Sequence, residues 1–220
     1  MRPPSPQIRG IDMSDTHWTR REFIEATTFF GLALGLPMAG AALVDLPEDE
    51  VPSKRQREMM RLVSEAVIPD SDTPGAGKAA VGDFVIFALA HGLDGTRQPA
   101  SSAEMPWGFP EQQRRDGSLR YLDWLEHRLD HDVNGDWVGR DEQTRSRILA
   151  ALDDQAFAGD AGEHPWKKLK GLVLTGYYTS QIGGSQELRF ELVPGRFDPR
   201  VPQTADTRAY SSDWTAVEFG

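Results

Sequence analysis

The segment Asp130-His131-Asp132-Val133-Asn134-Gly135-Asp136-Trp137 carries oxygen donors at its first, third and fifth positions and glycine at its sixth. That alternation turns successive side chains inward around a hard cation while the glycine makes a sharp bend, as in the opening of a helix–loop–helix calcium site. Asp130, Asp132, Asn134 and Asp136 are therefore the candidate metal ligands. The match is partial: the ninth position is Val138, without a side-chain oxygen, and the twelfth is Asp141, shorter than the usual bidentate glutamate. His127, Asp130 and His131 also have the outline of an inverted zinc motif that lacks its glutamate. A polar loop whose Asx side chains cap the following helix explains the same residues without any metal.

Other chemistry is sparse. Gly75-Ala76-Gly77-Lys78-Ala79 looks superficially like a phosphate loop, but position 72 is aspartate where glycine is required and Ala79 offers no hydroxyl for magnesium. No glycine fingerprint of a dinucleotide fold and no Gly-x-Ser-x-Gly elbow is present. The absence of cysteine excludes disulfides, iron–sulfur ligation, covalent c-type haem attachment and thiol catalysis. A formal net charge of -10 argues against a nucleic-acid partner, which would need a basic face.

The elements that would position such residues are helical. From Ser53, an N-cap, the apolar positions Met59, Leu62, Val63, Ala66 and Val67 recur at three- and four-residue spacing, opposite Lys54, Arg55, Arg57 and Arg61, up to Pro69. The stretch Ile68-Pro69-Asp70-Ser71-Asp72-Thr73-Pro74-Gly75-Ala76 is a turn. A second helix buries Val81, Phe84, Val85, Ala88 and Leu89 and stops at Gly92 and Gly95. A long loop follows over 94–117, with Met105 to Pro110 looking exposed. The spacing predicts a third helix from about Ser118 to Leu129, a fourth from about Asp141 to Phe157 and a fifth from Pro165, which suits a first helical turn. After Gly183-Gly184 the period changes to two: Leu188, Phe190 and Leu192 alternate with Arg189 and Glu191, a strand with no evident second strand to pair with. The aromatics Phe197, Tyr210, Trp214 and Phe219 then suggest an arm laid on another protein; an arm folded back on its own helices is the competing reading.

At the other end, Arg20 and Arg21 in Trp18-Thr19-Arg20-Arg21-Glu22-Phe23-Ile24 precede a weakly apolar run from Ala26 to Val44 that ends in small residues. This is the order of a bacterial export signal, and the arginine pair points to the twin-arginine route, which carries folded cargo. Cleavage is expected near Ala41, although a core helix and a retained membrane anchor use similar residues. The Pro-, Ser- and Asp-rich segment from Met1 to His17 reads as disordered. The roughly 175 residues after Val44 are enough for one domain.

The leader, the stretch Ile68 to Ala76 followed by Val81 and Phe84, and Leu174-Thr175-Gly176-Tyr177-Tyr178-Thr179-Ser180-Gln181-Ile182-Gly183 resemble the gluconate 2-dehydrogenase subunit 3 family. The run from Gln186 to Phe197 resembles one branch of it. The resemblance implies a small, helical, cofactor-free subunit of periplasmic dehydrogenases that oxidise sugars, sugar acids or glycosides. It implies a large flavoprotein partner of the glucose–methanol–choline type holding FAD, often with a c-type cytochrome subunit holding haem c. The small subunit bears the export signal for a flavoprotein that has none. No catalytic residue is carried over.

The resulting expectation is a mainly α protein, a small bundle of about five helices with long loops and an extended C-terminal arm. Residues 1–44 are the disordered leader and signal segment, 45–182 the helical domain and 183–220 the arm around a partner. The function expected is that of a noncatalytic accessory subunit, periplasmic and membrane-associated only through its complex, with no membrane span in the mature chain. Export rests on Arg20 and Arg21. Partner contacts are assigned to Tyr177, Tyr178, Gln181, Glu187, Arg189 and Phe190, and further along to Leu192, Pro194, Arg196, Phe197 and Trp214. The alternatives are an independent periplasmic calcium- or ligand-binding protein on the Asp130 loop and, with least support, an enzyme in its own right.

Overall fold

The computed structural model describes residues 50–100, 110–159, 163–190, 200, 202–204 and 207–211. Arg20, Arg21, Leu192, Pro194, Arg196, Phe197 and Trp214 lie outside them, as do Met105 to Phe109 of the long loop.

Among the described residues five α-helices form the body, as the apolar spacing predicts: α1 Lys54–Val67, α2 Val81–Ala90, α3 Tyr121–Val133, α4 Glu142–Phe157 and α5 Pro165–Tyr178. Their starts follow from local chemistry. Ser53 and Gln56 form a reciprocal capping box at α1, each side chain accepting the other's backbone N–H at 3.0 Å. The Asp141 carboxylate accepts the Thr144 N–H at 2.9 Å and opens α4. Pro165 occupies the first turn of α5, where His164 Nδ1 accepts the Trp166 N–H at 3.2 Å.

The amphipathic pattern is less simple than the spacing suggests. α1 buries Met59, Met60, Val63 and Ser64, while Ala66 faces outward and Leu62 and Val67 are half-buried. The third helix begins at Tyr121, three residues later than expected, and runs on to Val133. α2 buries every residue from Val81 to Leu89 except Asp83, so it is apolar nearly all round and forms the centre of the bundle. α1 and α5 pack most extensively against it. Trp124, Trp137 and Trp166 are at most 1% exposed and fill the space around α3, α4 and α5.

The expectation of an unpaired strand is corrected. β1, Arg189–Phe190, pairs in parallel with β2, Tyr210–Ser211, with Arg189 opposite Tyr210. Two residues without alternation are too short a signal to find in a sequence, and the pairing spans about twenty positions. Between α5 and β1 the chain turns through one π-helical segment, Gly183–Glu187. No helix among the described residues is long and apolar enough to cross a membrane.

Candidate partner-docking site

Three separate stretches meet at the end of α1: the turn 68–78, the C-terminus of α5 with its π-turn, and the arm. The turn folds on itself first. The Ile68 carbonyl accepts the Ala76 N–H at 2.9 Å, and Asp70 accepts the Gly75 N–H at 2.7 Å while pairing with Lys78. The Lys78 ammonium and the Gly75 N–H hold the Asp70 carboxyl below its ordinary range. Glu65 of α1 accepts the N–H groups of Asp70 and Gly77 at 3.1 and 3.0 Å, tying the turn to the helix before it.

The α5 end then locks onto this turn. Tyr177 is 1% exposed, and its hydroxyl donates to the Pro74 carbonyl at 3.0 Å. Burial pushes its pKa up, which keeps the phenol a donor. The Thr73 hydroxyl donates to the Glu187 carboxylate, and Arg208 donates to Asp72 at 2.6 Å, so both sides of the arm reach the same turn. Ser180 donates to the Tyr177 carbonyl at 2.6 Å and accepts the Gly183 N–H at 3.1 Å. Gly183 has no alternative there: a Cβ would stand 2.1 Å from the Tyr177 carbonyl oxygen. Gly176 is similar, because its Cβ would meet the Phe84 ring at 2.5 Å.

Of the residues assigned to partner contact, Tyr177, Tyr178, Gln181, Glu187, Arg189 and Phe190 come together here. Their roles differ. Tyr177 is a buried anchor, and Glu187 is half-buried against Thr73. Tyr178 (41% exposed), Gln181 and Arg189 face outward, with Leu174 one helical turn before Tyr178 and with Tyr210 at 50% exposure on β2. The tyrosine pair is edge-on, its ring centroids 5.3 Å apart, so the buried ring fixes the exposed one. Asp72, Thr73, Pro74 and Arg208 were not foreseen as members. Their partners lie more than 100 positions away, beyond the reach of any local pattern.

The Asp130 loop has another occupant. Arg55 of α1 donates to both Asp130 oxygens at 2.7 and 2.8 Å, to Asp136 at 2.8 Å, and to Glu126. Partial burial works against the charge on Arg55, but the hydrogen bonds of Asp136, Asp130 and Glu126 outweigh it and raise its pKa. Asp136 is correspondingly lowered by its hydrogen bond to Arg55. Asp132 turns away to Arg128 at 2.7 Å, and Asn134 is the left-handed residue that closes α3. The structure thus brings Asp130 and Asp136 together around a guanidinium and leaves Asp132 and Asn134 elsewhere. Among the described residues no three His, Asp or Glu side chains are grouped to hold a metal ion. The capping account holds in part, since Asp141 caps α4 and Asp130 accepts the Trp137 N–H at 2.9 Å.

Comparison with known families finds a match to the model described as gluconate 2-dehydrogenase subunit 3 over residues 54–195, which takes in all five helices, the 68–78 turn and β1. Comparisons with curated proteins and with solved structures find no match.

Proposed function

The chain belongs to the gluconate 2-dehydrogenase subunit 3 family, and from that premise we propose that it is the noncatalytic small subunit of an FAD-dependent sugar or glycoside dehydrogenase. It matures the flavoprotein catalytic subunit and accompanies it through the twin-arginine route to the periplasm. FAD belongs to the large subunit, and a c-type cytochrome subunit with haem c accepts the electrons.

The observation that carries this reading is the junction of turn, α5 and arm. Its inner side is fixed by Tyr177, Thr73 and Gly183, while Leu174, Tyr178 and Tyr210 remain exposed on its outer side. Rigid aromatics on a preorganised backbone lose little entropy on association and suit a protein interface. An arginine pair in a leader on a chain whose family name is that of a dehydrogenase subunit fits an escort for a folded cofactor-bearing partner.

The test is co-expression of the full chain with its flavoprotein and isolation from periplasm. Joint purification with FAD-loaded large subunit supports the reading. Unchanged flavoprotein yield, FAD content and export after deletion of this chain would refute it. Arg20→Lys with Arg21→Lys separates the two roles: both subunits should then accumulate, FAD-loaded, in the cytoplasm.

A further inference from the structure

Three of the large apolar side chains exposed among the described residues share one edge of the bundle: Phe157 at 55%, Tyr178 at 41% and Leu174 at 37%. On α5, Lys170, Leu174 and Tyr178 recur every four residues and so share one face. Lys170 reaches over the Phe157 ring at the end of α4, its ammonium 4.9 Å from the ring centre, which joins Phe157 to the same edge. Single exposed apolar side chains are ordinary on a surface, whereas a row of them marks an interaction site.

Beside this row the surface is dented. Val67 of α1, Leu149 and Ala150 of α4, and Trp166 and Lys170 of α5 line a notch of about 230 Å³. Leu149 and Trp166 are buried and Val67 is half-buried, while Ala66 and Ala150 at the rim are exposed and too small to fill the space. The walls are held in place. The Trp166 indole N–H donates to Asp153 at 2.6 Å, and the Lys170 ammonium donates to both oxygens of the same carboxylate at 2.8 Å. Asp153 is thereby satisfied within the chain. What the notch offers an occupant, apart from the Ser146 hydroxyl, is apolar surface.

Volume decides between two kinds of occupant. Sites for small molecules run from about 300 to 1,000 Å³ and carry several convergent polar groups; this notch is smaller and lacks them. It suits one large apolar side chain, the kind of anchor that a protein interface seats in a preformed pocket. Position says which protein supplies it. Val67 leads straight into the 68–78 turn, and Lys170 stands one helical turn before Leu174, so the notch is continuous with the outer side of the junction. Resting on the reading that the junction receives the flavoprotein subunit, we propose that the notch receives one leucine or aromatic side chain from that same subunit, as a second anchor beside Leu174 and Tyr178.

Because the chain lacks cysteine, Ala150→Cys places a single thiol on the rim of the notch, and Ala151→Cys places one about 100° further round α4. Both positions are exposed, so both full-length variants should keep the unfolding midpoint of the unaltered protein. Each is alkylated with a small maleimide, first as the isolated chain and then in the complex purified with the FAD-loaded flavoprotein, and the mass of this chain is followed. Alkylation of the Ala150→Cys chain should be at least tenfold slower in the complex, with the Ala151→Cys chain unchanged. The Ala150→Cys chain plugged beforehand with a bulky aromatic maleimide should bind the flavoprotein at least tenfold more weakly. Equal reactivity of the Ala150→Cys chain in both states, equal protection of the two variants, or undiminished binding by the plugged chain would overturn the proposal and leave the subunit assignment standing; failure of the two proteins to purify together would refute both. Protection that rises with the concentration of the isolated chain would overturn it by giving the notch to a second copy, and protection already complete in the isolated chain at every concentration by giving it to this chain's own residues.

Discussion

Single side chains here decide what a short sequence motif becomes. Asp130, Asp132, Asn134 and Asp136 have the spacing of a calcium loop, yet Arg55 supplies the positive charge from α1. Calcium should therefore leave the thermal midpoint of the unaltered protein unchanged at roughly millimolar concentration. Arg55→Gln should lower stability by about 1–3 kcal/mol, because Glu126, Asp130 and Asp136 then face one another uncompensated. Both are read by thermal unfolding with and without the cation. The donors were legible in the sequence; the arginine that occupies them was not, since it lies 75 positions from Asp130. His164 offers a pH test. It is 1% exposed, and burial, followed by repulsion from Arg128 and Lys167, pushes its pKa down to about 4. The folded state keeps it neutral while the unfolded chain takes up a proton below about pH 6.5. Its contribution is thus complete above that value and is lost as pH falls toward 4. His164→Asn keeps an N-cap acceptor, and its urea midpoint should fall less between pH 7 and pH 5 than that of the unaltered protein.

Among the elements, the ones with local causes were the readable ones. Ser53, Asp141 and Pro165 mark three helix starts because a cap or a fixed φ is a matter of a few adjacent residues. The buried face of α1 was less legible: Met60 replaces Ala66 because α2 approaches so closely that a Cβ on Gly82 would lie 3.0 Å from the Met60 carbonyl carbon. The junction was legible only in part: Tyr177, Tyr178 and Glu187 could be named, while Asp72, Thr73, Pro74 and Arg208 could not, since Tyr177 and Pro74, or Thr73 and Glu187, meet only after α2 and α5 have packed. Its two sides should separate on mutation. Gly183→Ala forces a Cβ against the Tyr177 carbonyl and should destabilise by about 1–3 kcal/mol in chemical unfolding. Leu174→Asp with Tyr178→Asp changes exposed positions, so the unfolding midpoint should hold while co-purification with the flavoprotein falls at least tenfold.

For the whole molecule, α1 is the strut that sets two ends apart. Its 14 residues separate the Ser53 end from the 68–78 junction by about 21 Å. A partner seated on the junction would leave the opposite end of α1 uncovered. That arrangement fits the escort role proposed above, in which the leader stays accessible while the cargo is held. It predicts that a long flexible insertion between Val44 and Asp45 leaves flavoprotein recovery intact, measured as FAD-loaded large subunit in periplasm.

The direction of one strand pair has a further consequence. Because β1 and β2 run parallel, the chain that leaves Phe190 must return to the level of Arg189 before Tyr210 can pair, and parallel neighbours require such a detour. The described residues on either side of that detour are each tied to the same turn, Glu187 to Thr73 and Arg208 to Asp72. A single cut between Phe190 and Tyr210 would leave each stump with its own tie to the turn, so the severed piece would be held by Arg208 and the strand pair alone and should come away in high salt before the helices unfold.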